Sequence, residues 1–246
     1  MPYELFIGLR YTRAKRRGAG RNRFISFIAV ISIAGIALGV AALIVVLSVM
    51  NGFQQELRNR ILGVAAHAQI VGDGDELADW PAVVKSVMGQ PGVGAAAPYV
   101  QAQGLLTLGS EVRGTLVRGI LPADEDRVAD FQRHMKAGRL DALREGEFGI
   151  ILGADLARAL HALPGDKVTL IAPQGLVTPA AVLPRLKQFT VTGIFEVGMF
   201  EFDAGLALIH MADAQKLYRM GDKVSGVRLK LDDLFSAPSI ARSLYP

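Results

Sequence analysis

Nothing in this sequence constrains the fold as much as the stretch Phe24–Met50, which is 27 residues long and carries no charged side chain. About 20 apolar residues cross a bilayer as a helix. A secretory signal offers a shorter apolar core, about 7–15 residues, with a small-x-small cleavage site close behind it. Here the nearest such site, Ala66-His67-Ala68, lies well past the end of the run. The stretch therefore predicts an uncleaved transmembrane helix, continuing through Gln54–Leu62 until Gly63. Its flanks set the direction. Before it stand seven basic residues (Arg10, Arg13, Lys15, Arg16, Arg17, Arg21, Arg23) and Glu4; after it come only Arg58 and Arg60, opposed by Glu56. Basic residues stay on the cytoplasmic side, so the N-terminus is expected in the cytoplasm and the rest of the chain outside. The net charge of +4 comes from this N-terminal segment, since residues 24–246 hold 20 basic and 22 acidic groups. A basic stretch beside an apolar run points to topology control or lipid headgroups rather than nucleic acid.

Three segments follow: a basic cytoplasmic segment 1–23, a transmembrane helix 24–50, and an outer domain 51–246. The helix carries Gly35 and Gly39 in small-xxx-small spacing, with Ser32 and Ala42 extending the stripe. Such a face lets a second helix approach closely, although glycine and alanine are common in membrane helices in any case. No second span is present to serve as its partner, so the sequence reads as part of something larger. A helix-like start at Ser239–Pro246 gives the same impression.

In the outer domain, strands are expected at Ala68–Val71, Val100–Leu108, Val112–Ile120, Phe148–Leu152, Lys167–Ala172, Gln188–Val197, Leu206–His210 and Val224–Leu231. Gly109-Ser110 forms the loop between the second and third of these. Helices are expected from Asp79 to Gly89, over Asp155–Leu163 with Leu156, Leu160 and Leu163 on one face, and over Ala212–Met220. Asp124-Glu125-Asp126 reads as a solvated helix start, and Asp73, Asp75 and Glu76 as turn residues. Strands and helices mixed without a βαβ rhythm indicate an α+β domain, with division into two lobes left open.

Several chemistries have no residues to support them. There is no cysteine, hence no disulfide, thiol nucleophile or Cys-based metal site. The four histidines are scattered without metal-ligand spacing. No Walker A pattern and no GxSxG elbow occur. No cofactor and no enzyme activity is expected, and ATP hydrolysis would need a partner. The segment Pro173–Pro184 is expected as a loop between two strands. It carries Pro173, Pro179 and Pro184 beside Leu176, Val177, Val182 and Leu183. Proline stiffens a segment, and a stiff apolar loop loses little entropy on binding; a long loop with its apolar groups packed down is the equal alternative. Met50, Asn51 and Phe53 stand at the outer end of the helix, with Val46 and Leu43 one and two turns earlier. Simple exposure to lipid explains them without any role.

The stretches Phe6-Ile7-Gly8-Leu9-Arg10-Tyr11, Leu47-Ser48-Val49-Met50-Asn51-Gly52-Phe53, Ile151-Leu152-Gly153 with Gly165-Asp166, Thr178-Pro179 with Pro184-Arg185, and Phe195-Glu196-Val197-Gly198 together resemble the LolC/LolE family. These are membrane subunits of a bacterial lipoprotein-releasing ABC transporter. The helix-exit motif is the most specific of them; MacB-like domains share the Ile151–Gly153 stretch. The resemblance implies a MacB-like mixed α+β periplasmic domain, an inner-membrane location, a LolD-like ATPase partner, a second LolC/LolE-type subunit, lipoprotein substrates and the periplasmic carrier LolA. It implies that Pro173–Pro184 is a carrier-recruiting hook with Arg185 and Lys187 as a basic pad at its base. Thr169 stands where some members have a basic residue. It implies further that Leu43, Val46, Met50, Asn51 and Phe53 line a lipoprotein cavity. The family's later membrane helices are absent from this sequence. A MacB-like export permease, a single-pass scaffold regulating a cell-wall enzyme, and a free-standing carrier-binding module are the rivals.

Overall fold

The computed structural model describes residues 21–64, 66–177 and 182–244, together with Tyr3 and Ile7. The fold separates into two compact units, Met1–Leu57 and Arg58–Pro246.

The first unit is dominated by helix α1 (Arg21–Val64), whose last turns belong to the second unit. Residues Phe27–Glu56 of α1 are long and apolar enough to cross a membrane. Their aliphatic side chains face outward all round, as befits a helix whose solvent is hydrocarbon. A Cβ added at Gly35 or Gly39 would touch nothing, so the small-residue stripe lies open.

The second unit is α+β. Its strands are β1 (Ala68–Val71), β2 (Val93–Leu108), β3 (Glu111–Ile120), β4 (Met135–Gly138), β5 (Gly149–Gly153), β6 (Lys167–Val177), β7 (Val182–Phe195), β8 (Leu206–His210) and β9 (Gly226–Leu231). Between them lie helices α2 (Trp80–Met88), α3 (Pro122–Val128), α4 (Ala154–Leu160), α5 (Phe200–Gly205) and α6 (Met211–Tyr218), with α7 (Ala237–Leu244) last. One sheet runs through the whole unit, where the sequence left open a division into two lobes. Six strands close on themselves in the order β2-β3-β8-β5-β7-β6 and back to β2. Closure removes the free edges that an open sheet would expose. β9 and β1 extend the sheet from the first half of β2, and β4 pairs the outer edge of β7.

Alternation along the strands divides the core. On one side Val100, Leu106, Val117, Ile150, Leu152, Leu170, Phe189 and Ile209 pack with Leu156 and Leu160 of α4 and Ala214 and Leu217 of α6. On the other, Ile120, Ile151, Phe195 and Leu208 pack with Phe131, Leu140 and Val64. Helix α2 covers β9, where Val87 meets Val227, Leu229 and Ile240.

Several expectations need correction. The helix expected to reach Leu163 stops at Leu160, because His161 adopts a left-handed conformation (φ 55°) that ends it. Leu163 then turns outward, 67% exposed, and its amide donates to Asp166. Strand β2 begins at Val93 rather than Val100, since Ala95–Ala97 carry no β-branched signal but fit the tight contact with β9. Strand β4 and helix α5 were not anticipated. β4 ends at Gly138, with φ of 73°, where an added Cβ would lie 2.1 Å from the Thr192 carbonyl oxygen. Glu125 is not a solvated helix start. It is fully buried and paired with Arg228, itself 1% exposed. Arg228 also donates through Nη2 to the carbonyl of Val64 (2.6 Å), and the Asp130 amide donates to that of Gly63 (2.7 Å). These bonds satisfy terminal carbonyls of α1 that have no partner within the helix. Burial lowers the Arg228 pKa to about 9, with Arg118 nearby adding to the effect. The guanidinium therefore stays charged at neutral pH, where the Glu125 carboxylate balances it.

Candidate functional site

Within Pro173–Pro184 the described residues are not a loop but the outer arms of a pair of strands. β6 and β7 stay paired from Lys167↔Thr190 up to Ala172↔Arg185, pass an irregularity, and pair again at Leu176↔Leu183 and Val177↔Val182. Residues 178–181, including Pro179, lie outside the described residues, and for Leu176, Val177, Val182 and Leu183 only the backbone is described. Proline did not prevent pairing because Pro173 falls within the irregularity and Pro184 lies next to the Ala172↔Arg185 pair where β7 re-enters the sheet. β6 meets β2 only at Thr169, Leu170 and Ile171. Beyond that point the hairpin is a two-stranded ribbon.

At the root of the ribbon, alternate residues face opposite ways. Leu186 faces out, 61% exposed. In register with it run Ile171 on β6, Leu105 on β2 and Gly114 on β3. Pro173, Leu105, Gly114, Leu116 and Gly205 line a shallow groove of about 490 Å³ on this side. Arg185 and Lys187 face the other way, and both are held. Arg185 donates through Nη1 to the carbonyl of Leu217 (3.1 Å), in the last turn of α6. Its Nε is buried with no hydrogen-bond partner among the described residues. The Lys187 ammonium sits 3.6 Å from the centroid of the Phe148 ring, within cation–π range. Thr169 is opposite Gln188.

Helix α6 organises this root. His210 caps its start by accepting from the Ala212 amide (3.3 Å). Asp213, fully buried, accepts from the amides of Gly146 (2.9 Å) and Phe148 (3.2 Å), which places the Phe148 ring beneath Lys187. The Tyr218 hydroxyl donates to the Gln103 carbonyl on β2 (3.3 Å), and burial raises its pKa. Asp213, Leu217, Tyr218 and Phe148 were missed in the sequence. The only signal was an acidic residue in an apolar helix face, which is legible as a buried cap only once its amide donors are known.

On α1, Leu43, Val46, Met50 and Phe53 are all more than half exposed. At about 100° per residue they fall on one stripe, and Ser32, Gly35, Gly39 and Ala42 fall on the same stripe nearer the N-terminus. Asn51 stands about 100° round from it. One face of the helix is thus small-residued in its first half and bulky in its second. No cluster of metal-ligating side chains occurs among the described residues. The scattered histidines have local duties, His67 bonding the Leu231 backbone and His210 capping α6.

Comparison with known proteins gives a consistent picture. The MacB-like periplasmic core domain family matches residues 29–244. The chain is 52% identical over 243 residues to the lipoprotein-releasing system transmembrane protein LolC of Neisseria meningitidis serogroup B, covering 99% of this chain and 58% of that protein. It is 47% identical to LolC of Xylella fastidiosa, covering 99% of this chain and 57% of the relative. It is 34% identical to LolE of Haemophilus influenzae, covering 98% and 58%. The chain therefore spans somewhat over half the length of these relatives. Among solved structures, the extracellular domain of the ABC-type transporter YknZ from Gram-positive bacteria is similar over 70% of this chain and 84% of that one, with a TM-score of 0.49 and 14% identity.

Proposed function

Because this chain belongs to the MacB-like periplasmic core domain family and groups within it with the LolC and LolE proteins, we propose that it acts in the membrane subunit of an ABC complex that releases lipoproteins from the inner membrane and passes them to the carrier LolA. In this reading the N-terminus is cytoplasmic and the second unit is periplasmic, supported by the seven basic residues ahead of the apolar run. A LolD-like ATPase supplies the energy, and the chain itself catalyses nothing. The small-residue stripe packs on a second LolC/LolE-type subunit. The bulky stripe Leu43, Val46, Met50 and Phe53, with Asn51 beside it, faces the lipoprotein; methionine adapts readily to acyl chains of varied shape.

The observation that carries this reading is the hairpin. Its outer ribbon lies beyond the last contact with a third strand, bounded by Pro173 and Pro184, with apolar residues on both arms. A paired ribbon presents those residues with less conformational entropy to lose than an open loop would have. We assign carrier binding to Pro173, Leu176, Val177, Pro179, Val182, Leu183 and Pro184, with Lys187 at the base. The double substitution Pro179→Asp, Leu183→Asp tests it. Carrier capture by the purified protein should be lost while its thermal unfolding stays unchanged, and retained capture would sink the assignment. If the wild-type protein co-purifies with an ATPase yet never captures carrier, a MacB-like export permease is the better description.

A further inference from the structure

Arg185 belongs to a short list of side chains that the ribbon and the closed strand circuit share. It lies opposite Ala172, at the last regular pair before the irregularity and the first beyond the contact with β2. Beyond Ile171 no third strand braces the pair, and an isolated two-stranded ribbon is marginally stable by itself. Its direction must be fixed at this pair. The Arg185 guanidinium crosses from β7 to the last turn of α6 and donates to the Leu217 carbonyl at 3.1 Å. That carbonyl is at the negative end of the helix, where a cation is favoured. The anchor point is itself fixed: Leu217 is 7% exposed, and its neighbour Tyr218 is tied to β2 through Gln103. The Arg185 Nε is buried and Nη1 is engaged with Leu217, so the half-buried side chain turns these donors inward.

We propose that Arg185 is a positioning residue, a strut that sets the direction of the hairpin by tying its root to helix α6, rather than a charge that contacts the carrier. Its effect on carrier binding rests on the function proposed above; the strut does not. Without it the ribbon samples a wider range of directions, and the carrier must select among them at an entropic cost.

The chain has no cysteine, so spin labels at Ala180→Cys, between β6 and β7 in the sequence, and at Ser110→Cys report the swing of the ribbon against the β2–β3 turn without interference. The full chain is measured in lipid nanodiscs, without carrier, as wild type, Arg185→Met and Arg185→Lys. Methionine keeps an apolar stem and loses the donor; lysine keeps a cation able to reach one carbonyl. The strut predicts a broadened distance distribution for Arg185→Met and a width restored towards wild type in Arg185→Lys. Carrier affinity should fall about 3- to 10-fold in Arg185→Met, with the salt dependence of binding unchanged. An unchanged width in Arg185→Met overturns the proposal, as does equal broadening in both variants. So does a wild-type width accompanied by weaker, less salt-sensitive binding, which would mark Arg185 as a direct ionic contact. Should Arg185→Met fail to fold, Arg185→Gln, shorter and still polar, takes its place under the same criteria. If the wild type binds no carrier at all, the proposed function fails and the label widths alone decide the strut.

Discussion

A buried carboxylate earns its place through its partners, and Glu125 and Asp213 do so differently. Glu125 faces a guanidinium, and removing one member of a buried ion pair leaves the other charge without compensation. Glu125→Ala should therefore destabilise the second unit by about 3–5 kcal/mol, measured by denaturant unfolding. Replacing both members, Glu125→Leu with Arg228→Met, should cost clearly less than the single change. Asp213 forms no ion pair among the described residues. Two backbone amides donate to it, each a charge-assisted bond worth about 1.5–3 kcal/mol. Asp213→Ala should unfold the turn holding Phe148 and free Lys187 from its ring, seen as faster hydrogen exchange at Gly146 and Phe148. Neither burial could be read from spacing. Asp124-Glu125-Asp126 has the composition of a solvated turn, and only the arrival of Arg228 from a strand about a hundred residues away makes Glu125 an interior residue.

Among elements, those whose signals are local were legible. β1 falls where alternation places it, β8 where a short apolar run does, and α2 between Asp79 and Gly89 with Pro81 in its first turn. Elements defined by partners were not. β4 is four residues of mixed burial that exist as a strand because β7 has an edge to offer. The candidate hairpin was recognised by composition but not by conformation: three prolines suggested a loop, whereas pairing between β6 and β7 runs past Pro173 and Pro184. Helix α1 carries its own prediction. Gly39→Leu would fill the open stripe where close helix approach needs small residues. It should abolish association with a second LolC/LolE-type subunit in detergent while leaving the fold of the second unit intact, as read by its unfolding profile.

For the molecule as a whole, the α+β class and the long apolar helix ahead of it were visible from a single apolar run and the mixture that follows it. The closed strand circuit was not, because closure depends on β6 meeting β2 through three residue pairs far apart in sequence. The disposition across the membrane is open to direct test. With a cysteine-free background, Ser110→Cys should react with a membrane-impermeant maleimide in intact spheroplasts, and a cysteine placed at Gly18 should react only after lysis. The reverse pattern would overturn the orientation.

The outer ribbon sets six residues of β6, Ala172–Val177, against four of β7, Val182–Arg185, and the shorter arm makes it about 10 Å long at the usual rise per residue. It is a pointer pivoted at one end. Over that length a swing of about 17° at the root displaces the far end by close to 3 Å, the full span of a hydrogen bond. Accuracy at the tip is thus inherited from the pivot, so a substitution at the root, in contact with nothing but its own domain, is able to miss the target as surely as one at the point.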